Sequence, residues 1–388
     1  MDFLIAPSGP RAAPRNFMPF THPSTDPLSP RLRQLALRLH PMARPALDQL
    51  CAAAAAVTRR HFGKTMRLFA PLYVSNECVN NCQYCGFSRD NPILRVTLQM
   101  DQVIKEAQHL AEQGFRSVLL VAGEHPRFVS EGYLEECIRS IKSFIPAVSI
   151  EVGPMETPEY ERMVAAGAEG LIVYQETYHR PTYAVMHTAG PKKDYDWRLA
   201  CPERGYAGGF RRIGVGALLG MVDWRYEVMA LAAHLEYLQK HCWKAHFTMA
   251  LPRLRPAAGG FTPSHPVNDA DFIQMIAALR LAFPDVGIIL STRESPTLRD
   301  AMLPLGITSM SAGSHTEPGG YTGQGQSDLH LTVKGRRVER SCSTPQDKAE
   351  GQFDIADERS PHEIATLLIS RGFDPVWKDW DEAILQEG

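Results

Sequence analysis

The residues best suited to chemistry are three cysteines within eight positions, Cys78-Val-Asn-Asn-Cys82-Gln-Tyr-Cys85. A C-x3-C-x2-C spacing makes three thiolates converge on one object. Structural zinc normally takes four protein ligands as two separated pairs, and no second pair follows at a usable distance. Thiolates also hold iron–sulfur clusters, and three of them on a four-iron cubane leave one iron without a protein ligand. Such an open iron is a place for a small molecule to bind and react. Zinc and unmetallated thiols stay open as alternatives on spacing alone. The remaining cysteines, Cys51, Cys137, Cys201, Cys242 and Cys342, stand singly and read as buried or incidental thiols.

A loop of this kind needs a rigid scaffold, and the sequence supplies one. Apolar or β-branched runs recur at Arg67 to Val74, Ser117 to Ala122, Val148 to Val152, Gly170 to Tyr174, Arg212 to Leu219, Ala245 to Leu251, Val286 to Ser291 and Ile307 to Ser311. Segments of helical period lie between them, such as Asp101 to Gln113, Glu131 to Phe144, Trp224 to His241 and Asp269 to Phe283. Strands that are apolar throughout and alternate with helices indicate a parallel sheet covered on its outside, and eight of them close it. The expected fold class is α/β, a parallel (β/α)8 TIM-type barrel with an N-terminal helical extension. An open doubly wound sheet would need a glycine-rich phosphate turn after an early strand, and none is present. Barrel chemistry sits at the C-terminal ends of the strands, which is where the cysteine triplet falls.

The expected organisation is an arm and helices over 1–64, the barrel over 65–315, a long glycine-rich loop over 316–358, and a C-terminal helix and tail over 359–388 that close the barrel. Leu32, Leu35 and Leu39 mark an early helix, and Ser360, Pro361 and Glu363 a capped late one. Within the loop, Lys334, Arg336, Arg337 and Arg340 form a basic group that reads as a solvated face. The 41 Lys and Arg nearly balance 43 Asp and Glu, which argues against a nucleic-acid partner. The longest apolar stretch, around Cys51 to Val57, is far short of the ~20 residues that span a bilayer. Phe3 to Ala6 is too short for a signal-peptide core, so a cytoplasmic location is expected, and with it free thiols rather than disulfides.

With Tyr84 just before the last cysteine, the triplet resembles that of the radical S-adenosylmethionine enzymes. The resemblance implies a [4Fe-4S] cluster on Cys78, Cys82 and Cys85, with S-adenosylmethionine chelating the open iron through its amino and carboxylate groups. It also implies one-electron cleavage of the sulfonium to methionine and a 5′-deoxyadenosyl radical. Ala-Gly-Glu-His at 122–125, Tyr-Gln-Glu-Thr-Tyr-His at 174–179, Asp-Tyr-Asp-Trp-Arg at 194–198, Pro-Arg-Leu-Arg-Pro at 252–256, Ser-Thr-Arg-Glu-Ser at 291–295 and Val-Trp-Lys-Asp-Trp-Asp at 376–381 narrow it. They look like the 2-iminoacetate synthase family, the tyrosine lyases of thiamine thiazole biosynthesis. The expected reaction cleaves the Cα–Cβ bond of L-tyrosine to 2-iminoacetate (dehydroglycine) and p-cresol. A thiazole synthase partner and a flavodoxin- or ferredoxin-type electron donor are implied with it.

By the same resemblance, Glu124 is expected to hold the ammonium of S-adenosylmethionine, and Gly216 and Gly220 to contact its adenine, with close packing as their structural alternative. Asp223 stands where the family commonly has Glu. Tyr84 and Glu151 are expected beside the cofactor and Glu176 among the catalytic groups, the two carboxylates facing ribose hydroxyls or the substrate ammonium. Arg293 and Ser311 end neighbouring strands and would take the carboxylate and amine of an amino acid. The alternative for Arg293 is an ion pair with Glu294 or another carboxylate of the barrel rim. Arg253 or Arg255 would help with a carboxylate. The nearest rival, the tyrosine lyase of hydrogenase maturation, carries an additional C-terminal cysteine set, whereas Cys342 is the only cysteine here beyond Cys242.

Overall fold

The structure is a computed structural model, and it describes residues 28–130, 132–339, 344 and 346–377. The N-terminal arm, Arg340, Cys342 and the chain beyond Trp377 lie outside the described residues. Eight parallel strands form the barrel: β1 (Thr65–Ser75), β2 (Ser117–Ala122), β3 (Ala147–Glu151), β4 (Ala168–Glu176), β5 (Arg212–Ala217), β6 (His246–Ala250), β7 (Gly287–Leu290) and β8 (Ser309–Ser311). Closure is explicit, since β8 pairs back onto β1 with Arg67 opposite Ser309 and Phe69 opposite Ser311. Each of the eight expected runs is one of these strands.

The helices cover the outside with the faces their periodicity predicts. Helix Met100–Glu112 buries Val103, Ala107 and Leu110, and a capping box between Gln99 and Gln102 starts it. Helix Asp269–Ala282 buries Phe272, Met275, Ile276 and Leu279 and packs on the N-terminal helices and on helix Trp224–His241. The early helix Pro30–Arg38 is capped by Ser29, which accepts from the Leu32 N–H, and it buries Leu32 and Leu35. Helix Pro361–Ser370 starts with the expected reciprocal cap between Ser360 and Glu363. No helix among the described residues is long and apolar enough to cross a membrane.

The stretch 316–358 differs from the flexible loop its glycines suggested. It contains a hairpin, β9 (His330–Val333) and β10 (Arg336–Val338), turned by Lys334 and Gly335, both at positive φ. The hairpin pairs antiparallel with Ile93–Arg95, just after the cysteine loop. Short strands and a tight two-residue turn escape a reading based on helical period. The rest of the stretch runs back across the barrel mouth, where Asp354 and Ala356 donate backbone N–H groups to Pro256 and Thr292.

Candidate active site

The cysteine loop rises from the end of β1, and the fold holds it from several sides. Buried Arg95 donates to the carbonyls of Asn76 (2.5 Å), Phe87 (3.0 Å) and Ser88 (2.7 Å), which bracket the triplet, and to Thr332 Oγ1 (2.6 Å) of the hairpin. Asn91 adds bonds to the carbonyls of Cys85 and Gly86. All three thiols of the triplet are free, and Cys82 packs in an apolar group with Tyr84, Leu218 and Met221. Burial pushes the Cys82 thiol up and that of Cys85 up to about 11, with Lys192 the main opposing influence. Thiols in such surroundings become thiolates on gaining a metal charge, so the donor set fits a cluster site rather than a solvent-facing reactive cysteine.

Glu124 follows β2 and reaches the same loop. Its Oε2 accepts from Asn80 Nδ2 at 2.7 Å, its carbonyl accepts from the Val79 N–H, and its carboxyl covers Gly153, where a Cβ would lie 2.7 Å from it. Tyr84 is buried and donates its hydroxyl to His187 Nε2 at 2.8 Å. His187 Nδ1 in turn donates to the Tyr183 carbonyl, and burial lowers the imidazole to about 3, so a neutral ring presents its bare nitrogen to the tyrosine.

At the end of β4, Glu176 is held by two cations. The register shifts at the end of β4, Glu176 takes φ 71°, and its carboxylate turns to Lys192 Nζ (2.6 Å) and Arg198 Nη2 (3.3 Å). Burial alone would raise this carboxyl, but Lys192 and then Arg198 outweigh it and hold it down at about 2. Lys192 also lies over the Tyr84 ring at 5.6 Å, which brings a cation to the cysteine loop. Neither Lys192 nor Arg198 was singled out from the sequence; Arg198 closes the quoted 194–198 segment, while Lys192 lies in a short turn with no pattern.

A cavity at the barrel mouth gathers the other expected groups. Arg293, Ser311 and Glu151 all line it, with Tyr73, Tyr174 and an apolar wall that includes Phe69, Leu119 and Ile289. Glu151 therefore sits with Arg293 in the cavity. Burial, then the charge of Glu176, pushes its carboxyl up to about 7 against the pull of Arg293. Glu294 is not the partner of Arg293, because it is bound by Arg253, which also holds Asp269; the rim carboxylate whose charge acts on Arg293 in the cavity is Glu151. Among the described residues the Arg293 guanidinium donates no hydrogen bond; it faces the cavity with the Phe353 ring stacked on it at 3.2 Å. Ser311 Oγ accepts from the Thr292 N–H at 3.1 Å, which leaves a second lone pair and its proton available.

Other candidates have structural reasons to exist. A Cβ on Gly216 would lie 2.2 Å from the Ala250 carbonyl, and Gly220 has φ 123°, so packing and backbone account for both glycines. Gln175 donates to the Tyr195 carbonyl, and Tyr178 pairs with His234 inside the core. Asp223 caps helix Trp224–His241 through the Arg225 N–H. Arg253 is committed as above, which removes it as a free carboxylate anchor.

A closed parallel barrel whose first loop presents three free thiols, Cys82 buried and Cys78 and Cys85 partly so, beside Glu124 and Lys192 defines a radical S-adenosylmethionine enzyme. The profile of the Radical SAM superfamily matches residues 72–231, and that of the Biotin and Thiamin Synthesis associated domain matches residues 250–374. The chain is 40% identical over 344 residues to the 2-iminoacetate synthase of Escherichia coli (strain K12), covering 88% of this chain and 85% of the relative. It is 38% identical over the same shares to the Salmonella typhimurium 2-iminoacetate synthase. Among solved structures, the [FeFe]-hydrogenase maturase HydG from Carboxydothermus hydrogenoformans superposes with a TM-score of 0.79 at 35% identity, covering 91% of this chain and 76% of the maturase. The chain belongs to the 2-iminoacetate synthase family.

Proposed function

We propose that this protein is a radical S-adenosylmethionine lyase that cleaves the Cα–Cβ bond of L-tyrosine to 2-iminoacetate and p-cresol, with release of 5′-deoxyadenosine and methionine, for thiamine thiazole formation. The observation that carries the substrate half of this reading is Arg293, a guanidinium with no hydrogen-bond acceptor among the described residues, facing a cavity that also holds Ser311, Glu151 and an apolar wall. A free guanidinium suits a carboxylate, the hydroxyl and carboxylate suit an α-amine, and the apolar wall suits an aromatic ring.

Cys78, Cys82 and Cys85 would hold a [4Fe-4S] cluster and Glu124 the amino group of S-adenosylmethionine, and the bound pair would supply one-electron chemistry for hydrogen abstraction from the substrate. Lys192, backed by Arg198, places positive charge beside the cysteine loop, which would favour an anionic cluster and the carboxylate of the cofactor. Tyr84, fixed by His187, packs the loop from one side, and Gly216 and Gly220, whose packing and backbone already require glycine, would leave room for the adenine. Glu176 acts as a positioning residue by fixing the two cations. Arg293 and Ser311 orient tyrosine, and the cavity wall excludes water from the reactive product. A thiazole synthase that receives the readily hydrolysed 2-iminoacetate, a flavodoxin- or ferredoxin-type donor and a cytoplasmic location belong to the same reading.

The test is anaerobic. Reconstituted protein with S-adenosylmethionine, dithionite and L-tyrosine is expected to give p-cresol and 5′-deoxyadenosine, both lost in Cys82→Ala. Deoxyadenosine without p-cresol would discard tyrosine as the substrate.

Glu151 gives the reaction a pH dependence. Its carboxyl is raised to about 7 in the folded protein, so it is neutral below that pH and anionic above it. Only the anion can accept a proton from the substrate ammonium. The kcat/KM for p-cresol is expected to fall as pH drops through about 7, and Glu151→Gln to be slow and to lack this limb. An unchanged limb in the variant would assign the titration to another group.

A further inference from the structure

We infer that Gln352 and Phe353, on the return segment after the hairpin, are positioning residues for the amino-acid substrate, and that this segment joins the substrate cavity to the cysteine loop as one unit. The inference rests on the reading of Arg293 as the carboxylate anchor. Both residues line the cavity. The Phe353 ring centroid lies 3.2 Å from the central carbon of the Arg293 guanidinium, a stacked contact that fixes the plane of the fork while leaving its N–H edges free. A guanidinium held on one face by a ring has fewer orientations to lose when it meets a carboxylate.

The ring is itself held firmly. The Phe353 carbonyl accepts from Thr316 Oγ1 at 2.9 Å, and the Gln352 N–H donates to the Thr316 carbonyl at 3.0 Å. On the other side, Gln352 Oε1 accepts from the hydroxyl of Tyr73 at 2.9 Å, and its carbonyl accepts from the N–H of Gly86, the residue after Cys85. The approach there is so close that a Cβ on Gly86 would lie 2.2 Å from the Gly351 carbonyl oxygen. A few residues on, buried Asp357 pairs with Arg299 and Arg359, which pins the far end of the segment. The cover over the substrate is therefore bonded to the loop that carries the thiols, and Arg293 is oriented from the cover.

The π face and the bulk of Phe353 can be separated by substitution. Phe353→Leu keeps an apolar cover but removes the ring from Arg293, whereas Phe353→Tyr keeps the ring. In the reconstituted holoenzyme, Phe353→Leu is expected to raise the tyrosine dissociation constant roughly three- to thirtyfold. It should also raise the ratio of 5′-deoxyadenosine to p-cresol at saturating tyrosine, because a loosely held substrate meets the radical unproductively. Cluster absorbance and S-adenosylmethionine affinity should stay at wild-type values, and Phe353→Tyr should restore both tyrosine affinity and product ratio. Wild-type tyrosine affinity and ratio in Phe353→Leu, or a Phe353→Tyr as impaired as the leucine variant, would overturn the assignment. A wild-type protein that neither binds tyrosine nor releases p-cresol would overturn the substrate reading itself, and the inference with it.

Discussion

Arg293→Lys is expected to reduce kcat/KM for p-cresol by roughly a hundred- to a thousandfold, the size expected when one member of a desolvated charge pair loses its geometry. The loss should fall largely on tyrosine binding, because lysine keeps the charge but not the planar fork that addresses both carboxylate oxygens. 5′-Deoxyadenosine should still form slowly, since the cysteine loop, Glu124 and Lys192 are untouched. A KM for tyrosine equal to that of the wild type would remove Arg293 from the substrate site. The environment supports a large effect: Glu294, the neighbour that could have neutralised Arg293, is taken by Arg253, and Phe353 covers one face of the guanidinium.

Glu176→Gln should have the largest effect on stability. The substitution keeps the shape but leaves Lys192 and Arg198, whose side chains are 14% and 9% exposed, without their carboxylate. Removing one partner from a buried group of this kind costs about 3–5 kcal/mol, which should appear as a lower urea midpoint at unchanged slope. The surface pair Arg44–Asp48, at 83% and 59% exposure, offers the contrast: Asp48→Asn should leave the midpoint almost unmoved. The pH dependence has a definite sign. The Glu176 carboxyl is depressed to about 2, so its contribution is complete above the usual carboxylate range and is lost as pH falls toward 2. Wild type and Glu176→Gln should therefore converge in stability as the medium is acidified. A constant gap between them would assign the effect to the side-chain amide instead.

The barrel was legible because its strands are short apolar runs at regular intervals, a pattern that depends on neighbours in sequence. The cysteine loop was legible for the same reason, with all three thiols inside eight positions. Arg293 and Ser311 could be paired from the sequence because consecutive barrel strands lie side by side, as β7 and β8 do, and both residues line one cavity. What escaped are groups brought together by long loops. Lys192 reaches Glu176 from a turn with no periodicity, and Gln352 reaches Tyr73 across 279 positions. The hairpin was hidden by glycines whose conformational freedom serves a tight turn at Gly335 and close approaches elsewhere, not chain flexibility. Glu176 was correctly placed at a strand end, but φ 71° turns its carboxylate aside, and no sequence pattern reports that sign.

The bonds that shape the cysteine loop come from Arg95, Asn91 and Gln352 and end on backbone groups. Among the described residues, a bond from the loop's own Asn80 Nδ2 to Cys78 Sγ at 3.7 Å reaches a thiol, while those from Arg95, Asn91 and Gln352 do not. The loop's shape therefore rests mainly on bonds that do not pass through the thiols, so the receptacle is built by the fold before anything fills it.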